Sequence, residues 1–202
     1  MEEAEHRIGR VTRCNIRGFA GGTRLARADV PTFGTFCKAP AQQGKVDVIG
    51  LVYGIGIEDD ELARQLAASE TALPEAYADN QFVRPVPIEI QALSVGYCED
   101  GRYLQMLPPQ PPLTLADIVP LSSVEVRAFT ERLDFLRIIL ASTEVPADDL
   151  IAAALRQAAS ARPTSEQRSF LVAAGRECAR LMAADLTRLE SLLRALQFVP
   201  SG

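Results

Sequence analysis

Residues 46–66 read VDVIGLVYGIGIEDDELARQL, an apolar run broken by glycines at 50, 54 and 56 and followed by what reads as the start of a helix. Two structures compete for such a stretch: the strand, glycine turn and helix of a dinucleotide site, or the wall of a barrel. A dinucleotide turn needs G-x-G-x-x-G, with a helix N-terminus free to receive the pyrophosphate. Here the spacing is Gly50-x-x-x-Gly54-x-Gly56, and Glu58, Asp59, Asp60 and Glu61 follow at once. Four acids at that helix start repel a pyrophosphate; they suit the unpaired amides of a short helix over DELARQLAAS. The glycines then mark places where a strand bends or another backbone comes close. The one Gly-Lys pair, Gly44-Lys45, is followed by Val46 and has Ala39 where a Walker motif places its first glycine, so no phosphate cradle is written there either.

The flanking sequence extends the barrel reading. RIGRVTR, NIRGFAGGTRL, VPTFGTFCKAP, VRPVPIEIQALSVGY and RYLQMLP are short runs separated mostly by glycine, proline or polar clusters, the punctuation of a strand-rich unit. Val86, Ile88 and Ile90 alternate with Pro87, Glu89 and Gln91 at the period of two of a strand with one buried face. After Ala92 the apolar positions become Leu93 and Val95, a shift of phase that predicts a bulge or sharp bend. Asp100-Gly101 predicts a tight hairpin. LPPQPPL at 107–113 reads as a stiff polyproline spacer ahead of the helical part.

From residue 122 the period becomes that of helices. Ser122-x-x-Glu125 is a candidate capping box, followed by an apolar stripe of Val126, Phe129, Leu133, Leu136 and Leu140. A shorter helix is expected from Pro146 to about Ala161, with Asp148 and Asp149 in its first turn. Thr164-x-x-Gln167 is expected to cap a long helix whose stripe, Leu171, Ala174, Cys178, Met182, Leu186, Leu189, Leu193 and Leu196, carries it over about 30 residues. Such a helix packs back on the one beginning near 124 or joins a partner chain. The expected class is α+β, with a small N-terminal β-barrel over 1–121 and a C-terminal helical segment with one long helix over 122–202.

Composition bounds the function. The 202 residues are 48% hydrophobic and 23% charged, with net charge -5 and pI near 5.0. Residues 1–125 hold 11 basic and 17 acidic side chains and the remainder 10 and 9. That balance argues against direct nucleic-acid binding. The arginines at 7, 10, 13, 17, 24 and 27 form one local basic cluster with only Phe19 as an interleaved aromatic, a solvated or partner-facing surface. Cys14, Cys37, Cys98 and Cys178 form no C-x-x-C pair and the one histidine is His6, so neither a zinc site nor a disulfide scaffold is expected. No cofactor is expected. With no leader-like start and no apolar run of membrane-spanning length, a cytoplasmic location without membrane contact is expected.

IGRVTR, FGTFCKAP, VIGLVYGIGIEDDELARQL and PVPIEIQALSVGY together resemble the HAS-barrel, the small β-barrel at the N-terminus of HerA-family DNA-translocating ATPases and, more distantly, of ATP synthase α and β subunits. The likeness covers about residues 7–121 and rests on glycine-punctuated strand order. It implies a barrel that helps a ring assemble and docks a NurA-type nuclease in DNA end processing. Where a HerA protein continues into its motor, these residues continue into helices, so ATP hydrolysis is not implied. The expectation is a non-catalytic, self-associating adapter for a HerA-like ATPase ring or a NurA-like nuclease. The alternatives are an oligomeric structural or assembly factor unrelated to DNA processing and, last, an enzyme using Cys37 or the Glu58–Glu61 carboxylates. Candidate partner contacts are Arg10, Arg13 and Arg17 on one side and Glu58, Asp59, Asp60 and Glu61 on another; no catalytic or metal-binding residue is assigned.

Overall fold

The computed structural model describes residues 7–25, 30–57, 68 and 86–197. His6, the acidic run Glu58–Glu61 and nearly all of the helix expected after it lie outside the described residues.

The chain folds as an α+β structure. Strands β1 (Gly9–Asn15), β2 (Gly18–Leu25), β3 (Phe36–Ala41), β4 (Val46–Ile57), β5 (Val86–Glu99), β6 (Arg102–Leu104) and β7 (Asp117–Pro120) are all paired antiparallel, and helices follow. Six strands close into a barrel in the order β1-β7-β3-β4-β5-β2, because β2 pairs with β5 as well as with β1. β6 stands outside the ring as the second arm of a hairpin. Asp100 (φ 49°) and Gly101 (φ 74°) both occupy left-handed backbone at its turn, as the Asp-Gly pair predicts.

Of the opening stretch, the described residues Val46–Ile57 are barrel wall. In β4, Val46, Val48 and Val52 face the barrel interior with Ile88, Ile90 and Ala92 of β5, while Ile49 and Leu51 face outward into a second apolar layer. A strand buried on both faces reads as a continuous apolar run, which is why its alternation is hidden. Gly50 sits on the interior side, where a β-carbon would come 2.7 Å from the Phe19 ring, so the missing side chain seats that ring inside a narrow barrel.

The phase change after Ala92 has a different origin from the one its pattern suggests. Leu93 and Val95 lie in the helix-facing layer and Ala92 in the interior, so the change at Leu93 records a second buried face. Bulges do occur nearby: register slips between Ile49 and Gly50 leave Val95 of β5 unpaired, and a slip between Val52 and Gly54 does the same to Tyr53 of β4.

The polyproline stretch is not a spacer leading straight to helices. Pro108 and Pro112 are buried, Pro40 accepts a hydrogen bond from the Leu113 amide (2.9 Å), and the segment delivers β7 between β1 and β3. β7 carries only Ile118 and Val119 as core-type residues between a charged residue and a proline, too little pattern to read as a strand.

The helices are α1 (Ser123–Phe129), α2 (Leu136–Ala141), α3 (Ala147–Ser160), α4 (Thr164–Leu181) and α5 (Leu186–Gln197). The Ser122/Glu125 capping box forms in both directions. The stripe after it is split between α1 and α2, because Thr130 turns its hydroxyl back onto the Val126 carbonyl (2.6 Å) and the chain leaves the helix. α3 matches its expected span, with Asp148 and Asp149 in the first turn. The cap at 164 does not form: Pro163 precedes the helix, no side chain caps it, and the Gln167 amide donates to the Arg162 carbonyl instead.

One long helix, the 18-residue α4, is present, but it does not run on to 196. Asp185 accepts from the Arg188 amide (3.0 Å) and starts α5 as a separate helix. Arg188 then grips Asp148 at the start of α3 through Nε and Nη2 (2.7 Å), and α5 packs on α3 and α4, not on the helix near 124. Leu189, Leu192 and Leu196 are buried by this fold-back, whereas Leu186 is left 70% exposed.

The outer barrel layer and the helices share one core. Phe36 of β3 meets Phe129 and Phe135 edge-on at 5.8 and 5.9 Å, and Tyr103 meets Phe129 at 5.7 Å. Leu136, Ile139, Leu150 and Leu155 complete the layer. Such aromatic pairs add about 0.5–1.5 kcal/mol each beyond area burial.

Candidate partner-binding groove

Where the β1–β2 turn, the exit of β6 and the end of α2 meet, two concavities of about 400 and 320 Å³ adjoin, sharing Arg17, Leu93 and Glu144. Local chemistry fixes each wall. Asn15 accepts from the Arg17 and Gly18 amides (2.7 and 3.2 Å), closing an Asx turn, and the Arg17 carbonyl accepts from the Ser94 amide of β5 (2.8 Å). Gly18 has no room for a β-carbon, which would lie 2.6 Å from the Ala92 carbonyl oxygen. The opposite wall is set by Gln105, whose amide donates to the Phe129 and Arg132 carbonyls (2.6 and 2.8 Å) and accepts from the Phe135 amide (2.9 Å). That three-bond clip positions Met106 and Leu107 beside α2.

One half of the groove is apolar, floored by Leu93 and Ile138 and walled by Met106 and Leu107, which are 55% and 40% exposed. Ile16, 43% exposed, stands in the turn beside it. The other half is polar. Arg13 pairs with Glu89 at 2.6 Å, and Gln91 donates to the same carboxylate at 2.8 Å. Burial pushes the Tyr53 phenol above its usual range, Glu144 adds to the rise and Arg13 opposes it, so Tyr53 is a neutral hydroxyl at physiological pH. Among the described residues neither the Arg17 nor the Arg137 guanidinium forms a close ion pair, although Arg137 lies within electrostatic range of Glu177, and one carboxylate, Glu144, lies in the lining with them.

The basic cluster is thus divided by the fold. Arg10, with Arg7, is drawn to Asp117 of β7 at 3.0 and 3.3 Å, which holds that carboxyl below its usual range. Arg13 and Arg17 turn to the groove; the bulge between Val11 and Arg13 breaks the alternation that would otherwise put Arg10 and Arg13 on opposite faces. Glu58, Asp59, Asp60 and Glu61 lie outside the described residues. Cys37 points into the barrel, fully buried, and burial pushes its thiol up to about 12, so it is protonated at neutral pH. Among the described residues no group of three or more histidine, cysteine or acidic side chains is placed to hold a metal, and no helix is long and apolar enough to cross a membrane.

Arg137, Ile138, Met106, Leu107 and Glu144 were not among the sequence candidates. Met106 and Leu107 read as the end of a strand run, and Arg137 as one polar position of a helix; no local signal joins them. Comparison of the sequence with protein-family models and with curated proteins gives no match.

Proposed function

We propose that the protein is a non-catalytic interaction adapter, a small barrel and a helical layer that together present a groove to a protein partner. The observation that carries this reading is the groove itself: exposed apolar side chains at Met106 and Leu107 beside two exposed guanidiniums that form no ion pair among the described residues, on walls held by backbone clips. Exposed apolar surface rimmed by polar groups is what protein-docking sites present. The resemblance to the HAS-barrel supports a HerA-like ATPase ring or a NurA-like nuclease as the partner, in DNA end processing. Titration of the purified chain against both proteins from the same source tests it. Saturable binding to either supports the adapter, and binding to neither removes that partner class.

A second reading, an oligomeric structural or assembly factor, is favoured by a separate concavity of about 780 Å³ along α4 and α5, lined by Leu171, Val172, Leu193 and Leu196. Light scattering over a concentration series, read together with that titration, separates the two. A closed multimer that binds neither the ATPase nor the nuclease favours assembly, and saturable binding to either, at whatever mass, favours the adapter.

A further inference from the structure

We infer that the groove between the β1–β2 turn and α2 takes a short linear segment of a partner protein in which apolar anchor residues sit next to carboxylates. The inference rests on the adapter reading and adds the chemistry of the bound segment.

Two features of the groove point to that occupant. Its apolar half, with Leu93 and Ile138 beneath and Met106 and Leu107 at the side, accepts side chains such as leucine or phenylalanine, and methionine adapts to differing shapes. Two cationic side chains line that same half. Arg17 and Arg137 are exposed and form no close ion pair among the described residues, Arg137 feeling Glu177 only at longer range, whereas Arg13 is already engaged by Glu89. Two guanidiniums against the single lining carboxylate of Glu144, with Glu177 near Arg137 already paired to Arg180, leave a positive surplus in a chain whose net charge is -5. A planar guanidinium pairs with a carboxylate through parallel hydrogen bonds, so acidic residues flanking the anchors find matched partners there.

A single-stranded nucleic acid fits less well. It would meet the guanidiniums but leave Met106 and Leu107 uncovered, and the one accessible ring in the lining is Tyr53, short of a stacking platform. A segment carrying basic flanks would bring like charge to Arg17 and Arg137.

The test is a selection of random dodecapeptides displayed on phage against the immobilised full chain, repeated against Arg17→Glu/Arg137→Glu. The expected result is enrichment of peptides with apolar residues beside aspartate or glutamate. Synthetic copies should bind the double variant at least about tenfold more weakly and Glu144→Lys more tightly. Enrichment of basic or uncharged peptides, no enrichment, or affinities that ignore all three substitutions overturns the inference. The three positions are exposed, so the variants should melt with the parent chain; Met106→Glu removes the apolar anchor site independently should charge reversal disturb folding. The same variants enter the titration against the ATPase and nuclease. Retained partner binding with no peptide effect overturns the groove and leaves the adapter standing. Peptide binding without either partner does the reverse.

Discussion

A single methyl group at position 50 has nowhere to go. Its carbon would sit 2.7 Å from the Phe19 ring and 3.1 Å from the Ala92 methyl, both inside the closed barrel. Gly50→Ala should lower stability by about 1–3 kcal/mol, the usual cost of overpacking, read as a lower urea midpoint at unchanged slope. A variant as stable as the parent would mean that Phe19 is not seated there. At Glu125 the relevant force is charge. The carboxylate caps α1 through Ser122 and accepts from Lys38 of β3 at 2.8 Å, with both side chains largely covered. Burial works to raise its pKa, but the Lys38 ammonium and the Ser122 donors outweigh it, so the folded value lies below the usual carboxylate range. A lowered folded value means stability that is complete above the unfolded pKa, near 4.5, and is lost as pH falls through the folded one. Glu125→Gln should therefore cost about 1–2 kcal/mol at neutral pH, and the gap between the two proteins should close in acid below about pH 4. Equal stabilities at neutral pH would show that the pair contributes nothing there.

Between α4 and α5 the chain had two ways to satisfy its apolar stripe. The 3- and 4-residue spacing from Leu171 to Leu196 fits one uninterrupted helix, and nothing in that spacing reveals a break. The decision is made by polar groups off the stripe: Asp185 caps the new helix and Arg188 ties it to Asp148. This gives a prediction whose sign separates the two arrangements. Alanine is a better helix former than aspartate, so Asp185→Ala would stabilise a continuous helix, whereas loss of the cap should destabilise the folded-back pair by about 1 kcal/mol. Chemical denaturation reads the sign directly. The elements legible in the sequence, the Asp100-Gly101 hairpin, the α1 capping box and the start of α3, are those whose stabilising contacts lie within a few residues. β7, the α1–α2 break and the α4–α5 turn depend on groups far along the chain, and a local window does not contain them.

The groove was partly legible for the same reason. Arg13 and Arg17 stand out as charges in the sequence, but their separation from Arg10 depends on Asp117, which lies 107 residues from Arg10. Arg137, Met106 and Leu107 join them only because Gln105 clips the end of β6 to the α1–α2 connection. The barrel and the helices also depend on each other, since Phe36, Ile49, Leu51, Leu93 and Val95 turn outward from the barrel into the helical layer. A chain ending at residue 121 should expose that whole apolar face and aggregate or bind hydrophobic dye strongly, as followed by light scattering and dye fluorescence. A monodisperse barrel from the truncated chain would show that the outer layer is dispensable.

The place of β7 in the ring also sets an order of events during synthesis. β1 and β3 each pair with it, through Gly9 with Ile118, Arg10 with Asp117, Cys37 with Pro120 and Lys38 with Val119. Until the ribosome has released residues 117–120, both strands keep an unpaired edge and the cylinder is an open, curled sheet. Those four residues act as the clasp: the nascent chain passes through its most adhesive stage just before they emerge, and the ring closes only when they slot in.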